Sequence, residues 1–234
     1  MGTLQARAVL LRAQRILNDQ TAVLWGFDEL VDWLNEGQRR VVSLRPDASS
    51  AVTSLTLVAG ARQTMPTGSI RLLDIPNNLN GRACTYVNKS ALDSYNPSWR
   101  SDTASAVVKH WTYDDKLPTR FEVYPPQPTS GFGTVEMVRS VLPTDCTLDA
   151  VNGASVDSVI SLPDQYDAAL IDYVVYRGYT KDAAYTVRGG KADQAWEKFL
   201  QGLGFQLTTD RRFSPANTSP PHAVDQQASQ GAFP

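Results

Sequence analysis

Phe27-Asp28-Glu29-Leu30-Val31-Asp32-Trp33-Leu34-Asn35-Glu36-Gly37-Gln38-Arg39-Arg40-Val41-Val42-Ser43-Leu44, followed by Arg45-Pro46, is the stretch on which the fold class turns. Phe27, Leu30, Val31, Leu34, Val41 and Leu44 recur at three- and four-residue steps, while Asp28, Asp32, Glu36, Arg39 and Arg40 fall mainly on other faces. That is the pattern of an amphipathic helix. Pro46 closes it, because the residue before a proline is pushed out of the helical region. Upstream, Leu4, Ala8, Leu11 and Arg15 share one stripe, with Val9, Ala13, Ile16 and Leu17 beside it. A first helix is therefore expected to end at Asn18-Asp19, whose short side chains compete for backbone groups.

Downstream the period changes. Val52–Val58, Ile70–Ile75, Cys84–Asn88, Val107–Tyr113, Phe121–Tyr124 and Thr134–Val141 are short runs rich in β-branched and aromatic residues, separated by Gly, Pro, Asn, Asp and Ser. Such runs predict strands. Arg120–Tyr124 and Glu136–Arg139 alternate polar with apolar, as half-buried antiparallel strands do. No crossover helix of adequate length lies between the runs, so a small sandwich or barrel is expected, with a turn or one short helical turn at Asp93–Pro97.

Helical spacing returns at Ser161-Leu162-Pro163-Asp164, which reads as a capping hydroxyl, a first-turn proline and an acid at the positive helix end. Ala169, Leu170, Tyr173, Val174 and Arg177 continue one face. After Gly189-Gly190, Ala192, Ala195, Trp196, Phe199, Leu200 and Leu203 form another stripe, and the pattern ends beyond Phe205. The remainder is Pro, Ser, Ala, Gln and Asn with few apolar residues, too little to fold by itself. The chain thus reads as α+β: a four-helix layer (two N-terminal and two C-terminal helices, residues 1–50 and 162–212) split by an antiparallel β-sandwich or barrel (51–161), with an extended C-terminal arm (213–234).

The chemistry of catalysis is poorly supplied. Two histidines, His110 and His222, stand apart from any ligand spacing, and the two cysteines, Cys84 and Cys146, form no C-x-x-C pair. No G-x-S-x-G elbow accompanies His110. Asp114-Asp115 reads as turn chemistry, and Asp28, Glu29, Asp32 and Glu36 as acids favoured by a helix dipole. Gly131-Phe132-Gly133 and Gly189-Gly190 lack the Lys-Ser/Thr of a phosphate loop. No catalytic residue, metal ligand or cofactor is expected. The net charge of −2 argues against tight DNA binding. No export signal can be drawn at the N-terminus, where Arg7, Arg12 and Arg15 interrupt any apolar run. Nothing approaches the roughly 20 apolar residues of a membrane span, so no membrane contact is expected. A solvated face, a protein partner or DNA all remain readings of that arginine trio. Trp25, Trp33, Trp99, Trp111 and Trp196 exceed a minimal core. Interface roles are expected for Arg7, Arg12, Arg15, Trp25, Trp99 and Trp111, and core packing first for Trp33 and Trp196.

A resemblance sharpens this. Trp25-x-x-x-Glu29-Leu30-x-x-Trp33-Leu34-Asn35-x-Gly37-Gln38-Arg39, then Arg45-Pro46-Asp47-Ala48, Gly60-x-Arg62-Gln63-x-x-Pro66, Ile70-Arg71-Leu72-Leu73-Asp74, Asp93-x-x-Asn96-Pro97-x-Trp99, His110-Trp111-x-Tyr113-Asp114 and Phe121-x-Val123-Tyr124-Pro125-Pro126 follow in order. Over roughly residues 14–145 the series resembles a tailed-bacteriophage family of head-to-tail adaptors, or connectors. The layout is similar to the gatekeeper, or tail tubular protein, of short-tailed phages.

The resemblance implies a virion protein made in the host cytoplasm, built into a ring that is commonly dodecameric. Its partners would be further copies of itself, the portal, and a tail nozzle or tube protein, with DNA passing unbound through the lumen during genome ejection. By position and composition the arm is expected to dock on the portal, with Arg211, Arg212, Phe213, Val224 and Phe233 as its contacts. A carbohydrate- or receptor-binding tail module is the alternative the β zone leaves open, and a virion-associated hydrolase is a third.

Overall fold

The structure is a computed structural model that describes residues 2–147, 158–181 and 189–213, with backbone alone at 189 and from 205 onward. Helix α1 (Ala6–Leu17) buries Ala6, Val9, Leu10, Ala13, Gln14 and Leu17. The Leu4–Ala8–Leu11–Arg15 stripe is therefore not the core face. The adjoining stripe wins because it packs on a C-terminal helix, leaving Ile16 49% exposed. Asn18 ends α1 in the left-handed region at φ 56°, a conformation that asparagine tolerates better than most residues. Helix α2 spans Phe27–Leu44 as expected, and a single 3-10 turn follows over Pro46–Ser49.

Seven strands come next: β1 (Ser50–Thr56), β2 (Gly60–Thr64), β3 (Ser69–Asn78), β4 (Thr85–Tyr86), β5 (His110–Tyr113), β6 (Arg120–Gln127) and β7 (Thr134–Val141). Helix α3 (Lys89–Tyr95) lies between β4 and β5, starting earlier than the turn or short helical turn expected at Asp93–Pro97. Asn88 starts it by accepting the Ser90 N–H at 3.0 Å, an ordinary N-cap. The expected strand at Cys84–Asn88 shrinks to two residues because its end is consumed by this cap. Strand β2 was missed altogether. Its Ala-Arg-Gln core has low strand preference, and pairing with β6 imposes the extended state.

The strands form two sheets, ordered β1-β7-β3 and β2-β6-β5-β4, and no barrel closes. Pairing is antiparallel except for β4 with β5, so the wholly antiparallel expectation fails at that one short edge. Leu57, Leu72, Ile75, Val108, Trp111, Phe121, Val123, Val135 and Met137 make a common core of the two sheets. A smaller cluster of Ala61, Leu92 and Trp99 sits beneath α3.

Helices α4 (Asp167–Lys181) and α5 (Gly189–Phe213) complete the described chain. Helix α4 touches α1, α2 and α5, and its Ala169, Leu170, Tyr173 and Val174 are buried in the same core as Val9, Leu10, Leu30, Leu34 and Phe199. Gly37 of α2 permits the close crossing: a Cβ there would lie 3.0 Å from Tyr173 Cδ1. Helix α5 runs 25 residues to Phe213, well beyond the expected end near Phe205. Among the described residues no helix is long and apolar enough to cross a membrane.

Candidate interaction surfaces

The two halves are tied by a buried polar joint. Asn35 and Gln38 lie one turn apart on α2 and are 6% and 1% exposed. The Asn35 carboxamide accepts the Cys146 N–H at 2.7 Å and donates to the Cys146 carbonyl at 2.9 Å. It thus takes the place of a β-strand partner for the chain leaving the β unit. Gln38 accepts the Ser161 N–H at 2.7 Å, holding the chain where it returns to the helices. Burial raises the Cys146 thiol pKa, so this cysteine is kept as an inert thiol.

The other end of the return segment is strapped by the N-terminus. The Asp164 carboxylate accepts the Thr3 N–H at 2.7 Å, the Thr3 hydroxyl at 2.5 Å and the Leu4 N–H at 3.0 Å. The Thr3 hydroxyl and those backbone donors lower the pKa of Asp164. The expected helix start at Ser161 is thus corrected: its hydroxyl accepts the Thr144 N–H, and a 3-10 turn at Asp164–Tyr166 precedes α4.

In the β unit, Trp99 Nε1 donates to Asp93 at 2.8 Å, and Arg100 lies over the Trp99 ring at 4.2 Å. Arg100 also donates to Asp93 at 3.1 Å and to Glu122 at 2.7 Å. Arg62 and Lys89 approach Glu122 at 3.5 and 3.8 Å. Burial alone would raise the Glu122 pKa, but these cations, Arg100 foremost, hold it below the usual carboxylate range. Beside them a cleft of about 350 Å³ is lined by Arg62, Lys89, Thr112, Leu117 and Arg120.

His110 stacks on Tyr124 with ring centroids 6.1 Å apart. Burial, then the Arg82 and Lys109 charges, lower its pKa, and its Nδ1 has no partner among the described residues. Among the described residues no carboxylate is paired with it to make it a catalytic base. Among the described residues no three His, Cys, Asp or Glu side chains gather as a metal site.

The interface residues expected from sequence are distributed differently. Trp25, Trp99 and Trp111 are 3, 0 and 5% exposed. Their rings lie inside the chain, as does that of Trp33. Arg12 pairs with Asp167 of α4 at 2.8 Å, and Arg7 and Arg15 are exposed on α1. Arg211, Arg212 and Phe213 fall in the last turn of α5, while Val224 and Phe233 lie outside the described residues.

Two surfaces escaped the sequence reading. One is the α1–α2 turn, where the Asp19 carboxylate, 4% exposed as a residue, accepts the N–H groups of Val23, Leu24 and Trp25 at 2.8, 3.0 and 2.9 Å. With Trp25 anchored inward, Val23 and Leu24 are left 79% and 59% exposed. The other is a groove of about 420 Å³ among α2, α4 and α5, walled by Arg39, Arg40, Tyr176, Arg177 and Trp196. Arg40 lies 5.6 Å from the Trp196 ring centroid, Arg177 pairs with Glu36 at 3.2 Å, and Tyr176 and Trp196 meet at 5.1 Å. Tyr173 hydrogen-bonds Glu36 beneath, and burial first, then that carboxylate, push its pKa up to about 12. The exposed Val23–Leu24 pair and the Arg40/Trp196 spacing are visible in the sequence, but only packing reveals which side each faces.

No curated protein matches the chain. Residues 4–220 match the family described as SU10 adaptor protein, a span that takes in both the helical and the β halves.

Proposed function

Since this chain belongs to the SU10 adaptor protein family, a family of phage head-to-tail adaptors, we propose that it is a non-enzymatic structural protein of the virion, forming a ring that joins the portal to the tail. The ring is dodecameric and continues the DNA channel. Helices α1, α2, α4 and α5 act as one layer, residues 1–50 and 162–212, toward the portal, and the β unit, residues 51–161, meets the tail nozzle or tube. The arm, residues 213–234, docks on the portal through Arg211, Arg212, Phe213, Val224 and Phe233. The protein is made in the host cytoplasm and ends in the particle.

The observation that carries this reading is the family match across residues 4–220. The character of the matched residues supports it. Asn35, Gln38, Gln63, Asp93 and Trp99 use their polar atoms to brace backbone or neighbouring side chains, leaving a rigid body suited to assembly. The sheet cleft lined by Tyr113 and Phe121 is rimmed mainly by charge, from Arg62, Lys89, Arg120, Asp114 and Glu122.

Electron microscopy of the chain mixed with portal rings tests the proposal. Added ring density beneath the portal is the expected result, and loss of that density on deleting 214–234, with the chain still folded, is expected of the arm. No portal binding by the full chain, or turnover of a substrate by it, would overturn the reading.

A further inference from the structure

The outward side of α2 carries segregated charge. Asp28 and Asp32 are exposed and have no ion-pair partner among the described residues, while two turns later Arg39 pairs with Asp145 at 2.5 Å and Arg40 turns toward the neighbouring groove. The helix dipole explains an acid in the first turn, but its effect has faded by Asp32. Arg40 has no carboxylate partner among the described residues either, and its guanidinium lies over the Trp196 ring. The acidic end adjoins the exposed Val23–Leu24 turn, and the basic end borders the aromatic groove. Each surface therefore presents what the other lacks: an apolar tip followed by acids, and an aromatic groove in which Glu36 is already paired with Arg177 and Arg40 is left over.

We propose that the Val23–Leu24 turn of one subunit seats in the Arg40–Tyr176–Trp196 groove of a second copy, bringing Asp28 and Asp32 toward its Arg40. Phe27, where α2 leaves the turn, and Arg40 are thirteen residues apart, roughly 20 Å along the helix, so a chain cannot fill its own groove. The turn arrives pre-formed, because Asp19 fixes three successive N–H groups behind it, which limits the ordering lost on contact. Turn and groove are different surfaces, so the contact is heterologous and passes from copy to copy instead of closing as a pair. This rests on the ring reading above and supplies its subunit-to-subunit contact.

The test uses two full-length variants altered at exposed positions, Leu24→Asp and Arg40→Glu, each checked for an unchanged circular dichroism spectrum. Sedimentation velocity over rising concentration should show self-association of the unaltered chain, weakened about tenfold or more in either variant alone. An equimolar mixture of the variants should give a one-to-one dimer and nothing larger. The Leu24→Asp chain keeps an intact groove, and the Arg40→Glu chain an intact turn. Self-association of either variant equal to the unaltered chain, no heterodimer in the mixture, or an unaltered chain monomeric at every concentration would overturn the pairing. Rings on portal formed equally well by both variants would overturn it while leaving the ring intact. Failure of the unaltered chain to form any ring on portal would remove the ring reading itself.

Discussion

Replacing Asn35 by alanine should loosen the joint between the helical and β halves. The side chain is 6% exposed and satisfies both backbone groups of Cys146, accepting at 2.7 Å and donating at 2.9 Å. Alanine leaves that N–H and C=O buried without partners. Each orphaned group costs roughly 1–3 kcal/mol, so the variant should lose about 2–6 kcal/mol, a large part of the ~5–15 kcal/mol typical of a domain. Equilibrium urea unfolding measures the loss. Thiol labelling locates it, because Cys146 is 3% exposed while Cys84 is half-buried and tied to the β unit. Cys146 should become more reactive in Asn35→Ala, and Cys84 should not. Asn35→Asp separates the two bonds: at neutral pH it keeps an acceptor for the N–H but loses the donor and buries a charge. Its defect should ease in mild acid, where a protonated carboxyl can donate again. A change below about 0.5 kcal/mol, within the range of an ordinary surface substitution, with Cys146 still unreactive, would refute the reasoning.

Three further outcomes follow from particular contacts. Gly37→Ala gains about 1 kcal/mol of helix propensity but sets a methyl 3.0 Å from Tyr173 Cδ1, and overpacking costs roughly 1–3 kcal/mol; a lowered melting temperature is expected, and a raised one would show that the ring yields freely. Glu122→Gln removes the carboxylate shared by Arg100, Arg62 and Lys89. Because the folded pKa of Glu122 is depressed, its contribution is present above the ordinary value of 4.5 and lost as pH falls through the folded value. The variant's melting temperature should thus be lower at neutral pH and vary less in acid, and curves parallel to the unaltered chain's would exclude the effect. The His110 pKa is also depressed, below 6.5, so the unfolded chain takes up this proton first and stability falls as pH drops through that range. His110→Gln should remove that part of the decline, as followed by melting curves from neutral to mildly acidic pH.

Some of the fold was fixed by forces that act within a few residues. The bounds of α2 follow from its apolar spacing and from Pro46, the end of α1 from Asn18, and β7 from a run of β-branched residues whose expected limits coincide with the strand observed. The adaptor resemblance was also legible, because Trp25 through Ala48 and the later matched segments keep their order along the chain. Burial of single residues was less legible. Burial of a tryptophan such as Trp99 depends on α3 packing over it, and a composition count cannot distinguish an anchored ring from an exposed one.

Tertiary contacts decided the rest. Two adjoining stripes on α1 had similar apolar content, and packing against α4 selected the one containing Val9 and Ala13. Strand β2 is extended because β6 supplies its partners. The joint of Asn35 with Cys146 spans 111 positions, and the strap of Thr3 on Asp164 spans 161. Local preference reaches about one helical turn. Pairings at such distances arise only when burial makes an unpaired polar group too costly and the folded chain brings its partner within reach.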